Sequence, residues 1–225
     1  MNKDFFRGRR RALLALLGAG LPAALQRALA QGSAAQGVRS VQGEVMVNGK
    51  LAEPGTLVRP GDAVATGGGA LAVFVVGQDA FLMRENSRAA FAGGETLASV
   101  LRLFTGKLLG VFGPGGDRNI VTSTATVGIR GTGGYFEAEP ARTDFCLCYG
   151  TADLAAAGSD QRATYITTHH ESPRYIYGDG RSRAIIPANV INHTDAELIM
   201  LEGLLGRTPP RSFMNSPYMN NPYMN

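Results

Sequence analysis

The run "TATVGIRGTGGYF" at residues 124–136 decides the fold class. Ala125, Val127 and Ile129 alternate with polar or small residues, so on an extended chain they share one face and form a buried stripe. Arg130-Gly131-Thr132-Gly133-Gly134 follows, with three glycines that let the backbone take positive φ and turn. Two roles are open to the polar residues there: Arg130 and Thr132 fix the turn through hydrogen bonds to backbone carbonyls, or Arg130 faces a partner.

The same grammar extends in both directions. Upstream, in "GEVMVNG" at 43–49, Val45 and Val47 face one side while Glu44, Met46 and Asn48 face the other, and Asn48-Gly49 closes a turn. "ALAVFVV", "DAFLMR", "SVLRLFTGKLLGVF", "NIVTS", "YFEAE", "TDFCLCYG", "RATYITT" and "RYIY" are further short runs rich in β-branched and aromatic residues. Turn signals such as "PGD" at 60–62 and "GPGGD" at 113–117 separate them, and 30 glycines in 225 residues support many such turns. The expectation is an all-β domain over residues 38–190, either a two-sheet sandwich or a solenoid-like stack of short strands.

One helix stands out. In "NHTDAELIMLEGLLG", Thr194 followed by Glu197 has the form of a capping box, Asp195 suits the positive end of the helix dipole, and Leu198, Leu201 and Leu205 share a face. So short a helix is marginal alone, so the segment 191–207 is expected to dock its leucines on the β-domain. The stretch 208–225 ends in "FMNSPYMNNPYMN", a repeat with Met214, Met219 and Met224 in equivalent places, and reads as a disordered Met/Asn/Pro tail.

The N-terminus reads as a cleavable export signal over residues 1–30: basic residues, a mildly apolar run from Ala12 to Ala24, and the small-x-small site Ala28-Leu29-Ala30. Arg10 and Arg11 in "RRALL" resemble a twin-arginine signal, which points to a periplasmic location, and residues 31–37 form a small-residue spacer. Without the leader, 22 basic and 18 acidic residues become 16 and 17, a net charge of −1. The pI near 9.3 therefore belongs largely to the leader. No basic footprint for nucleic acid remains, and no stable membrane insertion is expected after cleavage.

Residues 124–136 resemble the signature of the FecR domain, the periplasmic module of ferric-citrate-type regulators. Val127, Ile129, Arg130, Gly131 and Thr132 match its "T-x-V-x-[VI]-R-G-T" run, with Ala125 at its first position. Residues 43–76 resemble the family's opening strands with "G-D-x-V-x-T-G", and "MRENSRAAF" at 83–91 its following step, so the resemblance spans roughly residues 40–155. It implies a free-standing exported module that binds or signals without catalysis. Its partner would be another periplasmic or envelope protein, or a glycan.

"DFCLCYG" at 144–150 holds the only two cysteines. On a strand, Cys146 and Cys148 point to the same side with Cβ atoms about 6–7 Å apart, too far for an unstrained disulfide. Three readings are open: buried structural thiols, a metal site, or a strained or intermolecular disulfide. All three histidines, His169, His170 and His193, lie downstream, and thiolates with imidazoles suit zinc or copper. If 169–170 is a strand, only one of those two histidines can join the sulfurs, with His193 as the fourth ligand. No resident cofactor is otherwise indicated. The chain has no G-x-S-x-G elbow, P-loop or H-E-x-x-H, and a cysteine nucleophile paired with His169 or His170 is the remaining enzymatic reading.

Overall fold

The computed structural model describes residues 36–92, 100–114 and 118–219. The export signal at 1–30 with Arg10 and Arg11, most of the spacer, and the tail beyond residue 219 lie outside the described residues.

The chain is all-β. The N-terminal strands are β1 (Gly37–Gln42), β2 (Val45–Val47), β3 (Lys50–Leu51), β4 (Ala63–Thr66), β5 (Leu71–Val76), β6 (Asp79–Met83) and β7 (Arg88–Phe91). They are followed by β8 (Val100–Val111), β9 (Arg118–Val121), β10 (Ala125–Ala138), β11 (Arg142–Ala156), β12 (Arg162–Thr167), β13 (Arg174–Tyr177) and β14 (Ile185–Pro187). Among the described residues two helices follow the strands, α1 (Asp195–Leu204) and α2 (Arg211–Met214).

Among the described residues all fourteen strands belong to one hydrogen-bonded sheet, where two separate sheets or a solenoid stack were expected. The reason lies in β8, whose length lets it change partners halfway. Its first half pairs with β7 and, in parallel, with β9; its second half pairs with β6 and β10. The sheet thus folds back on itself around a core that includes Phe74, Phe81, Phe91, Leu103, Phe136 and Leu147. Alternation along β5 serves two cores: Ala72, Phe74 and Val76 face inward, while Leu71, Val73 and Val75 face a second cluster under the helices. That second face, continued by Leu82, Leu109, Tyr135, Cys146 and Cys148, carries the candidate site.

The glycine-rich run does not turn the chain. β10 continues through it as a fourteen-residue strand, and the extra residues are absorbed as a bulge where the register with β11 shifts between Arg130 and Gly134. Gly131, at φ 57, supplies the left-handed residue such a bulge needs. The expected hydrogen bonds to carbonyls are not made: Arg130 pairs with the Asp153 carboxylate at 2.6 Å, and the Thr132 hydroxyl is buried without a hydrogen-bond partner. Gly133 has a different duty. A Cβ there would lie 2.7 Å from the Tyr149 ring and 3.1 Å from Leu198, so its absence lets α1 approach the sheet.

The predicted cap of α1 is present in full: Thr194 accepts from the Glu197 amide, and Glu197 accepts from the Thr194 amide. Leu198, Leu201 and Leu204 are buried on the sheet, and Arg84 bonds both Glu197 and the Asn192 carbonyl. The tail reading is corrected for residues 211–219. Arg211–Met214 form a helical turn, and Phe213, read as part of a loose polar repeat, is fully buried against Tyr149 and His169. Among the described residues no helix is long and apolar enough to cross a membrane.

Candidate metal centre

Four of the five candidate ligands, Cys146, Cys148, His170 and His193, converge in one buried group, and His169 lies beside it. Alternation on β11 places Cys146 and Cys148 on the helix-facing side, at 3% and 0% exposure. Both thiols are free and buried, and no bond joins Cys146 to Cys148. Strand β12 ends at Thr167, so the alternation expected across 169–170 does not apply. His170 takes φ 57, and its amide donates to the Cys148 carbonyl at 3.0 Å. This left-handed residue swings both imidazoles inward, where a strand would have splayed them apart. His193 stands just before the Thr194 cap, with its ring stacked on Tyr135 at 4.7 Å.

The nitrogens and sulfurs then converge. His170 Nδ1 lies 3.3 Å from Cys146 Sγ and 3.2 Å from His193 Nε2. One ligand atom each from Cys146, Cys148, His170 and His193 lies within 4.8 Å of all the others, and all four residues are buried. In a tetrahedron with ordinary zinc bond lengths the N–N edge is about 3.3 Å and the S–N edge about 3.5 Å. The two measured separations match these edges closely.

The far sides of the imidazoles fix their tautomers. His170 Nε2 faces Asp195 Oδ1 at 3.1 Å, and His193 Nδ1 faces the Ile191 carbonyl at 2.7 Å. Both partners are acceptors, so these nitrogens carry the protons, and in the neutral rings His170 Nδ1 and His193 Nε2 meet lone pair to lone pair. Such a pair needs a cation between its members. A proton satisfies one pair of atoms, whereas a metal ion satisfies all four. The Asp195–His170 bond is also the arrangement by which a carboxylate orients a ligating imidazole.

His169 stands apart from the sulfurs. Its Nε2 bonds Asp195 Oδ2 at 3.2 Å, so the two histidines share one carboxylate. His169, His170 and Asp195 form a second convergent group that overlaps the first at His170.

Electrostatics favour a thiolate at one sulfur. Burial acts to raise the Cys146 thiol, but the contacts with Cys148, His193 and His170 outweigh it and hold it well below its ordinary range. Burial and the neighbouring Cys146 push Cys148 well above it. Burial opposes charge on His170, yet Asp195 and Cys146 lift it to about 9. Cys146 is thereby disposed to bind as the anion that metal ligation requires.

Asp195 and Phe213 were not singled out for the site from the sequence. Asp195 was legible only as a helix-dipole residue, although its position two residues after His193 was a signal. Phe213 gave none, since a lone aromatic among Met, Asn and Pro has no periodicity to mark it.

No family profile matches the chain, and no curated protein matches it. Solved structures similar to it include two crystal structures of a candidate anti-sigma factor from Parabacteroides distasonis. One shares 10% identity at a TM-score of 0.47 over 56% of this chain, and the other 10% at 0.47 over 64%. The chain spans 59% of the first and 73% of the second. Similarity of this degree carries no argument about activity or partner, so function has to be read from the residues.

Proposed function

We propose that this protein is a non-enzymatic, exported FecR-like module that binds another protein of the cell envelope. The observation that carries the reading is the placement of Arg130, the arginine of the FecR-like run. Its side chain is 65% exposed and held by Asp153, which Thr164 also contacts at 2.6 Å. It stands over a groove of about 500 Å³ that Asn119, Gly128, Arg162 and Thr164 help to line. Charged and polar groups fixed by neighbours on an open sheet face suit protein recognition more than chemistry. Burial of both thiols supports the same choice, because a nucleophile must reach its substrate. The leader-like residues 1–30 support export to the periplasm.

A photo-crosslinking residue at position 130, in cells that express and export the chain, should give a discrete protein adduct that Arg162→Glu abolishes. The same adduct from a control at exposed Leu51, or none from position 130, would refute the reading.

A second reading, compatible with the first, is favoured by the convergence of Cys146, Cys148, His170 and His193: the protein binds a zinc or copper ion.

A further inference from the structure

We propose that a divalent, zinc-class ion held by Cys146, Cys148, His170 and His193 is the clasp that fastens the C-terminal segment, residues 191–219, onto the outer face of the sheet. The inference rests on the metal reading above and adds the ion's class and its task.

The class follows from charge and geometry. Two thiolates and two neutral imidazoles around a divalent ion sum to zero, whereas a monovalent ion would leave a net negative charge in a fully buried site beside the Asp195 carboxylate. An unbalanced buried charge is costly. A closed tetrahedral set of two sulfurs and two nitrogens also matches zinc better than the harder divalent ions. All four positions are taken by protein atoms, and the residues that supply them are at most 3% exposed. A site with no open position is structural.

The task follows from which chain segment supplies which ligand. Cys146 and Cys148 stand on β11, and His170 is tied to the same strand by the hydrogen bond its amide donates to the Cys148 carbonyl. His193 alone comes from the C-terminal segment, immediately before the cap of α1. Asp195, in the first turn of α1, reaches back to His169 and His170. An ion therefore bonds the start of α1 to the sheet, and Asp195 repeats that link one layer out. Without the ion no bond joins His193 to Cys146, Cys148 and His170, and the side free to move is the one that carries His193 and Asp195. The apolar contacts of Leu198, Leu201, Leu204 and Phe213 lie along the same segment, so they loosen with it. Release would uncover the face formed by Val73, Leu82, Leu109 and Tyr135.

The test is metal analysis and hydrogen exchange on the full chain purified without an affinity tag, before chelation, after it, and after zinc is restored. About one equivalent of zinc is expected. Chelation should speed exchange at residues 195–204 at least tenfold while amides of β5 and β8 stay within about twofold, and zinc should reverse the change. Cys148→Ser and His193→Ala should behave as the chelated protein; if either fails to fold, chelation and reloading still decide the matter. A bound ion with no effect on α1 exchange would overturn the clasp and leave the metal reading standing, as would loss of protection throughout the sheet. Copper in place of zinc would overturn the assigned class. A folded protein that takes up no zinc, with both thiols inert to iodoacetamide, would overturn clasp and metal reading together.

Discussion

Replacing Cys148 by serine will uncouple the protein's stability from zinc. For the unaltered chain, an ion that binds the folded state alone adds about 4 kcal/mol at a free concentration a thousandfold above Kd. In a protein of this size that corresponds to a rise in Tm of roughly 10 °C. The dependence should be logarithmic in free zinc and disappear with a chelator. Serine keeps the size and buried position of Cys148 but presents a hard hydroxyl that does not ionise near neutrality, so one of four ligands is lost. Thermal melts of Cys148→Ser should then be the same with zinc and with chelator. A variant whose Tm still climbs with zinc would show that Cys148 is not a ligand.

Asp79→Ala should be the most damaging single change far from the metal centre. Asp79 accepts from Arg118 Nε at 2.7 Å and from the Gly113 amide at 2.8 Å, tying β6 to β9 and to the end of β8. Both partners of the ion pair are buried, so the alanine variant leaves the Arg118 charge in the interior without this carboxylate. Breaking such a pair from one side costs about 3–5 kcal/mol, whereas replacing both partners by apolar groups is often near neutral. Urea denaturation should therefore show a large loss for Asp79→Ala and recovery of most of it in Asp79→Ala/Arg118→Met. A double variant no better than the single one would contradict the account.

The pH dependence of that pair has a defined sign. Burial, opposed by the bonds from Gly113 and Arg118, raises the Asp79 carboxyl above its ordinary value of 3.8. A carboxyl raised on folding contributes stability that is fully present below the unfolded value and is lost as pH rises through the folded one. The gap between the unaltered protein and Asp79→Ala should accordingly narrow from pH 3.8 upward.

What could be read in advance followed from local rules. The alternation of Val45 and Val47, the Asn48-Gly49 hairpin between β2 and β3, and the capping box at Thr194 each depend on residues within a turn or two, and each is present. The shared side of Cys146 and Cys148 is a consequence of period two and is equally local. The parallel pairing of β8 with β9 and the closure of fourteen strands into one sheet depend on contacts between distant residues, which periodicity does not encode. The glycines at 131, 133 and 134 fit a turn as well as a bulge, and only the register against β11 decides between them. The strand conformation assumed at 169–170 is absent for a related reason: a left-handed histidine is an exception that its neighbours impose, and it turns two adjacent rings toward one carboxylate, while one histidine of the pair, His170, joins the sulfurs and His193 as expected.

Zinc K-edge X-ray absorption of the purified full chain tests the buried centre most directly. The account predicts two sulfur scatterers at about 2.3 Å and two imidazole nitrogens at about 2.0–2.1 Å, with no oxygen shell. An all-oxygen and nitrogen shell, or zinc coordinated by a single sulfur, would contradict it.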